Sequence, residues 1–201
     1  MTVPRDIGPR ELDAVEALSA LGCAQAVAAL GSLTRIRIDM RVPEGWARAS
    51  DAGFAGALSA LGEEVLAVGV QLEGMLAGHL VLALPERAAQ RLAGSLGYPV
   101  SGAAGWDELA ESAVMESGNI VGSAFVSAIA RRIGGKLLLT VPSLARGGGR
   151  ACLERLVGGD SGGVVVGTQL YAEGDPALEG LILVMPEPAR LPGLLAALDF
   201  A

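Results

Sequence analysis

Apolar residues recur at helical spacing in long segments of the chain, and short aliphatic runs lie between those segments. The helical spacing predicts helices over about 10–33, 48–62, 86–97, 106–133, 149–157 and 187–199. Runs such as "VLAVGVQL" and "HLVLAL" predict strands over about 35–42 and 136–142, and hairpins over about 64–84 and 163–185. This succession of helices and strands predicts an α/β (α+β) fold.

The order of the predicted elements repeats at an offset of about 99 residues. The segment "AQAVAALGSLTRIRIDMRVP" (24–43) corresponds to "SAFVSAIARRIGGKLLLTVP" (123–142), and each predicts a helix that leads into a strand and ends at a proline. Two shorter matches follow in the same order, "VGVQL" with "VGTQL" and "LVLALPE" with "LILVMPE". We interpret the pattern as a duplication, with pseudo-repeats over about 10–98 and 106–199 of a single domain spanning 1–201.

Neither half can cover a sheet of its own, because an isolated two-stranded hairpin is only marginally stable. We therefore expect the halves to share one β-sheet and one core. The expected arrangement is two halves related by a pseudo-two-fold axis, with the long helices flanking the common sheet.

The charge balance limits the classes of partner. The formal net charge is −7, which argues against a nucleic-acid partner, because phosphate backbones are bound by clustered Lys and Arg. Only seven of the 201 residues are Phe, Trp or Tyr, so the core is predicted to be aliphatic and closely packed.

The two cysteines and the N-terminal segment bear on the compartment. Cys23 and Cys152 each lie in an apolar helical pattern, which predicts buried thiols in a reducing compartment. The start "MTVPRDIGPRELD" has charges and prolines where a signal peptide has an apolar segment. The charge-free stretch 17–34 is shorter than the ~20 residues of a membrane span. We expect a soluble cytoplasmic protein that does not bind a membrane.

One stretch of the second long helix carries strong polar groups among small and apolar residues. In "SAVMESGNIVGS" (112–123), helical spacing puts Ser112, Glu116, Asn119 and Ser123 on one face, which Ser127 continues. The opposite face carries the following apolar residues: Val114, Val121, Phe125 and Ile129. The apolar face is predicted to seek the core, so the polar face is predicted to meet solvent or a partner.

The spacing Ser112-x3-Glu116-x2-Asn119-x22-Pro142 resembles the signature [Asp/Ser]-x3-Glu-x2-Asn-x22-Pro of the CheC/CheX/FliY family of chemotaxis phosphatases. The duplicated arrangement resembles CheC most. This resemblance implies a CheC-like duplicated fold and a phosphatase that hydrolyses the aspartyl phosphate of a CheY-type response regulator.

The resemblance also implies roles for the residues of the motif. Asn119 would hold the attacking water, and Glu116 would contact the regulator's site. Ser112 and Ser123 would lie at the edge of the partner contact, and Pro142 would shape the chain beside the helix.

The first half carries a degenerate version of the same motif. Its equivalent positions are Asp13, Ala17, Ala20 and Pro43, so the leading acid and the proline remain while the Glu–Asn pair is replaced by alanine. Only the second motif is therefore intact. The first helix is expected to be a structural partner or a smooth surface that binds something else.

We expect that the helix with Glu116 and Asn119 cannot complete a hydrolytic site alone. Its single histidine, His79, is expected on the surface in the turn region of the first hairpin, and no phosphate-binding Gly-rich loop with its Lys is present. We expect no metal or cofactor in this chain. The resemblance implies that the regulator supplies Mg²⁺.

Two other functions stay open. The chain is also similar to proteins that dock the receptor deamidase CheD, and in that case the Ala-faced first helix or the short helix at 150–157 would carry the partner. A flagellar-switch component like FliY is less favoured, because an N-terminal switch-binding peptide and an extra C-terminal domain are not expected in this sequence. We predict a monomer, because the duplication supplies the packing that single-copy CheX obtains by dimerising.

Overall fold

The computed structural model of the chain describes residues 8–42, 61–100, 105–158 and 165–199. The helices in these ranges are α1 (Pro9–Thr34), α2 (Glu86–Ser95), α3 (Glu108–Ile133), α4 (Gly149–Val157) and α5 (Leu191–Asp199), the last preceded by a 3-10 turn at Pro188–Arg190. The strands are β1 (Ile38–Arg41), β2 (Val65–Gly74), β3 (Gly78–Pro85), β4 (Leu137–Leu139), β5 (Ser143–Gly147), β6 (Val166–Ala172) and β7 (Asp175–Pro186).

The two long helices match each other in length and in the way they end. Each has 26 residues, and α3 begins and ends 99 residues after α1. The residues that follow them, Arg35 and Gly134, both adopt the left-handed conformation, with φ of 59° and 62°. Glycine adopts this conformation without strain, whereas an L-residue such as Arg35 does not.

The strands form one seven-stranded antiparallel sheet in the order β1-β6-β7-β3-β2-β4, with β5 also paired to β2. The first strand of each half pairs with the hairpin of the other half, because β1 pairs with β6 and β4 pairs with β2. Neither half has a separate sheet among the described residues. The predicted shared sheet is confirmed.

The register of the sheet follows the pseudo-two-fold relation. Met40 lies opposite Leu170, and at the equivalent position Leu139 lies opposite Leu72. The central ladder between β3 and β7 is symmetric about its own middle. The axis therefore passes between β3 and β7, and the predicted arrangement of two halves that share one sheet, flanked by long helices, is confirmed.

Side chains that alternate along the strands build two apolar layers. Leu66 and Val68 of β2 face the layer that contains the buried sides of α1 and α3. Val65 and Ala67 face the opposite layer, where Leu153 of α4 is buried. The long helices thus cover one face of the sheet, and α4 packs on the other.

The apolar character of α1 and α3 serves this core. Each helix is long and apolar enough to cross a membrane by length and composition alone. However, 44% and 50% of the two apolar windows are buried inside the fold. Core helices of globular proteins meet the same criteria, so these two helices are weak evidence for a membrane span.

The sequence-based prediction of a strand over 136–142 was only partly correct. Strand β4 ends at Leu139, and a further strand, β5, follows at 143–147, where the sequence analysis predicted none. Ser143 and Gly147 are poor strand formers, but the backbone of β5 finds hydrogen-bonding partners along β2. Tertiary pairing overrides local preference in this segment. The helix predicted over 48–62 lies outside the described residues, apart from 61 and 62.

Candidate functional site

The polar stripe of the sequence lies on the outer side of α3. Ser112, Glu116, Ser123 and Ser127 are exposed and Asn119 is half-buried. The opposite side is fully buried, as Val114, Val121, Phe125 and Ile129 show. We call the exposed line of 109, 112, 116, 119, 123, 127 and 131 the α3 ridge.

Two glycines let α3 lie close to the sheet beneath the ridge. A Cβ atom on Gly118 would be 2.3 Å from Cγ1 of Val68, and one on Gly122 would be 3.2 Å from a methyl group of Val70. The first distance is too short for any side chain at that position. The helix axis is therefore held at a fixed depth over β2, which fixes the height of Glu116 and Asn119 above the sheet.

The N-terminus of α3 is fixed by a side-chain cap. The Asp107 carboxylate accepts a hydrogen bond of 2.8 Å from the backbone N–H of Ala110. This satisfies one of the free N–H groups of the first turn and places negative charge at the positive end of the helix dipole. The ridge therefore begins on a well-defined first turn.

Glu116 and Asn119 are free to act on something outside the chain. Neither side chain forms a hydrogen bond or ion pair with any residue of the described ranges. A carboxylate accepts hydrogen bonds, and an amide both donates and accepts them. The pair offers two acceptor groups and one donor group about one helical turn apart, and no partner within the described residues satisfies them.

Pro142 lies at the interruption between β4 and β5 and is half-buried. Just before it, the backbone N–H of Thr140 donates to the carbonyl of Gln71, and the N–H of Gln71 donates to Oγ1 of Thr140, both at 3.0 Å. The missing N–H of a proline is tolerated at such a break on a sheet edge. This position fits the structural role predicted for Pro142.

The degenerate first site has the same exposure pattern on α1. Asp13 and Ala17 are exposed and Ala20 is half-buried, as are their counterparts Ser112, Glu116 and Asn119 on α3. Pro43 lies outside the described residues. The motif positions of α1 and α3 therefore differ in their side chains and match in their exposure.

Sequence reasoning missed a polar cluster at the start of α3. The Trp106 indole N–H donates to Oε1 of Glu86 at 3.0 Å, and the Arg146 guanidinium donates to the same oxygen at 3.3 Å. The guanidinium carbon of Arg146 also lies 5.8 Å from the centre of the Trp106 ring, within cation–π range. No spacing in the sequence links these three positions, because they come from β5, α2 and the segment before α3.

A second carboxyl group, that of Glu64, interacts with Glu86 of this cluster. A hydrogen bond shared with Glu64 lowers the pKa of Glu86, and Trp106 and Arg146 act in the same direction. The same hydrogen bond raises the pKa of Glu64. Glu86 is therefore the ionised partner, which suits its contact with Arg146.

The remaining candidates for chemistry lie elsewhere. His79 is half-buried at the second position of β3, just after the turn, so it is less exposed than expected. Cys23 and Cys152 are free and buried, as predicted. Burial raises the pKa of the Cys23 thiol to about 11, and Thr168 acts in the opposite direction. Among the described residues, no three or more His, Cys, Asp or Glu side chains form a group that could hold a metal ion.

Solved structures of FliY, FliM and CheX share this fold. FliY from Thermotoga maritima superposes with a TM-score of 0.70 and 16% identity, covering 98% of this chain and 99% of that chain. The FliM middle domain from H. pylori superposes with a TM-score of 0.61 and 8% identity, covering 95% of this chain and 99% of that chain. CheX in the CheX–CheY–BeF3–Mg complex from Borrelia burgdorferi gives 0.53 and 15%, covering 84% and 97%.

These likenesses establish the fold and do not extend to the chemistry. At such identities the match rests on the arrangement of helices and strands. The fold predicted from the resemblance to the CheC/CheX/FliY family is thereby confirmed. Comparison with protein-family models gives no match, and comparison with curated proteins gives none.

Proposed function

We propose that this chain is a phosphatase that hydrolyses the aspartyl phosphate of a CheY-type response regulator in chemotaxis signalling. The observation that carries the proposal is the pair Glu116 and Asn119, which stands on the exposed α3 ridge with no hydrogen-bonding partner in the described part of the chain. The fold supports it, because CheX, which has the same fold, has been solved in a complex with CheY.

The proposed reaction needs positioning more than covalent chemistry. The amide of Asn119 would hold a water molecule in line with the phosphorus–oxygen bond of the aspartyl phosphate. The water oxygen bonds to phosphorus, the bond to the aspartyl oxygen breaks, and inorganic phosphate and the free carboxylate result. The proton of the water leaves with the phosphate or passes to solvent.

Glu116 would act beside Asn119 as a contact to the regulator's phosphorylation site. Its exposed carboxylate can accept hydrogen bonds from a cationic side chain of the partner, which would fix the amide of Asn119 in register. In this proposal the regulator supplies Mg²⁺, and Ser112 and Ser123 flank the contact with side chains small enough to let the partner approach.

A dephosphorylation assay tests the proposal. A purified CheY-type regulator is phosphorylated with labelled acetyl phosphate, and phosphate release is followed with and without the chain. We expect the wild type to accelerate release. Asn119→Ala should lose about a hundredfold of the acceleration, as when a positioned polar group is removed from an active site. Glu116→Ala should lose a comparable share.

A matched control is available on the same helix. Glu111 of α3 lies off the ridge and is half-buried, so Glu111→Ala removes a carboxylate of the same helix without touching the pair and should retain the wild-type rate. No acceleration by the wild type would refute the phosphatase. Full activity of both Asn119→Ala and Glu116→Ala would refute the site.

A non-catalytic role, as a docking module or a switch component, is the main competing function. The same assay separates the two. Binding of the regulator without any acceleration would favour a switch component or a docking module, and co-purification with CheD would then test the docking alternative.

A further inference from the structure

The α3 ridge carries an exposed leucine one turn before Ser112. Leu109 is 64% exposed, although it lies in the first turn of a core helix. A large apolar side chain in this position gains little from the fold, because most of its surface stays in water. Its neighbours in sequence, Glu108 and Ala110, are an exposed acid and a buried core residue, so only Leu109 presents apolar surface outward here.

The polar cluster of Glu86, Trp106 and Arg146 lies at the start of the same helix. Trp106 is half-buried three residues before Leu109, and the Arg146 side chain that stacks on it is 45% exposed. Both are held by the largely buried Glu86 carboxylate, at 3.0 and 3.3 Å. Trp and Arg are enriched among residues that dominate binding energies at protein interfaces. A rigid contact surface binds with less loss of side-chain freedom.

The size of a protein interface decides which residues a partner must cover. A standard interface buries about 800 Å² on each partner, a disc of roughly 16 Å radius. With a helical rise of 1.5 Å per residue, Leu109 lies about 13 Å along α3 from the midpoint between Glu116 and Asn119. Arg131, at the other end of the ridge, lies about 20 Å from it. A partner centred on the pair therefore covers Leu109 and leaves Arg131 at or beyond its rim.

The first half of the chain provides an internal comparison for Leu109, Trp106 and Arg146 of the second half. At the position of Leu109, the degenerate helix α1 has Arg10, and at the position of Arg146 the first half has Ala47 in the sequence. Ile7 stands where the second half has Trp106. The apolar residue with its Trp–Arg neighbours therefore accompanies the helix that has the Glu–Asn pair and is replaced on the helix that has lost it.

We infer that Leu109, Trp106 and Arg146 form a docking surface that holds the phosphorylated response regulator while Asn119 and Glu116 act on its phosphoryl group. This inference rests on the proposed function for the identity of the partner. Leu109 supplies apolar contact area, and Arg146 supplies a cation on an otherwise acidic helix start. The polar pair contributes chemistry, and this surface contributes affinity and the choice of regulator.

Steady-state kinetics with the phosphorylated regulator test the docking surface. Leu109→Arg copies the residue of the degenerate helix, and Leu109→Met keeps the apolar contact. We expect Leu109→Arg to raise KM about tenfold with kcat within a factor of two, because it removes binding common to ground state and transition state. Leu109→Met should keep the wild-type KM. Thermal unfolding of each variant checks that the exposed substitution leaves the fold intact.

Two control variants probe positions outside the expected contact. Tyr171 is 41% exposed on β6, where it points to the sheet face opposite α3, and Arg131 lies beyond the expected footprint. Tyr171→Ser and Arg131→Gln should both keep the wild-type KM. A wild-type KM for Leu109→Arg, with Asn119→Ala inactive, would overturn the docking surface and leave the phosphatase standing.

A direct binding measurement separates failure of the docking surface from failure of the proposed function. If the wild type does not accelerate dephosphorylation but binds the regulator, and Leu109→Arg weakens that binding about tenfold, the surface stands and the phosphatase falls. If the wild type neither binds nor accelerates, both are overturned.

Discussion

A Cβ atom on Gly22 would lie 2.4 Å from Cδ2 of Phe125, so α1 and α3 cross at a point with no room for a methyl group. Phe125 is fully buried and cannot turn aside. This contact joins the helix with the intact pair to the helix with the degenerate one. The close approach of the two long helices therefore depends on a glycine on one and an aromatic ring on the other.

Gly22→Ala should destabilise the protein despite the better helix propensity of alanine. We expect a net loss of about 1–2 kcal/mol, because overpacking of a dense core outweighs the propensity gain. Gly94 on α2 is the matched control, since a Cβ there meets nothing within 4 Å. Gly94→Ala should stabilise by about 0.5–1 kcal/mol. Urea unfolding measures both, and equal effects of the two substitutions would contradict the packing account.

Thr168→Val should stabilise the protein. Oγ1 of Thr168 is buried and forms no hydrogen bond within the described residues. This hydroxyl lowers the pKa of the nearby Cys23 thiol, but the geometry between the two groups falls short of a hydrogen bond. Replacing an unsatisfied hydroxyl by a methyl group of the same shape should gain about 1 kcal/mol.

Thr34 supplies the opposite case for the same substitution. Its buried hydroxyl donates to the carbonyl of Leu30 at 2.9 Å, so Thr34→Val should lose about 1 kcal/mol. Calorimetric unfolding of the two variants side by side tests the pair. A loss of stability in both would show that the Thr168 hydroxyl is satisfied in solution.

Stability should fall in mild acid through His79. Burial lowers the pKa of His79 below its ordinary value of 6.5, and Glu187 opposes the shift only in part. The unfolded chain then binds a proton at His79 more readily than the folded chain. The contribution of neutral His79 to stability is therefore complete above its ordinary pKa and is lost as pH falls through the folded pKa.

Urea unfolding of wild type and His79→Gln at about pH 7.5 and about pH 5 measures this contribution. The wild type should lose more stability than the variant over this interval. Comparing the two proteins removes the contribution of carboxyl groups such as Glu64, which titrate in both. Equal losses would contradict the assignment to His79.

Restoring the Glu–Asn pair on α1 should restore part of the proposed activity. In an Asn119→Ala background, Ala17→Glu with Ala20→Asn places the two side chains at positions whose exposure matches that of Glu116 and Asn119. We expect regulator dephosphorylation to rise above the inactive background, with a KM above that of the wild type. The higher KM follows because Arg10 stands where α3 has Leu109.

Ala28→Asn in the same background adds a single amide to α1 off the motif and should leave the rate unchanged. If Ala17→Glu with Ala20→Asn leaves the dephosphorylation rate of the background unchanged, α1 lacks more than these two side chains. Added Arg10→Leu should lower the KM of the restored site if the leucine acts in docking.

Features that depend on local periodicity were determined by the sequence. The 3.6-residue pattern gave both long helices to within two residues at each end, and it separated the buried side of α3 from the ridge that bears Glu116. The offset of 99 residues indicated two halves that share one sheet, because a hairpin in either half needed further strands. Periodicity is a property of neighbouring residues, and repeat order is a property of the chain as a whole. Both can therefore be recognised in the sequence without a structure.

Features that depend on contacts between distant residues were decided only by the tertiary structure. Strand β5 exists because β2 offers its backbone groups, and neither its Ser143 nor its Gly147 favours a strand. The cluster of Glu86, Trp106 and Arg146 joins positions 20 and 60 residues apart. The exposure of Leu109 and the contact of Gly22 with Phe125 follow from how the helices lie on the sheet. Hydrogen bonding and close packing act through space, and spacing along the chain carries no record of them.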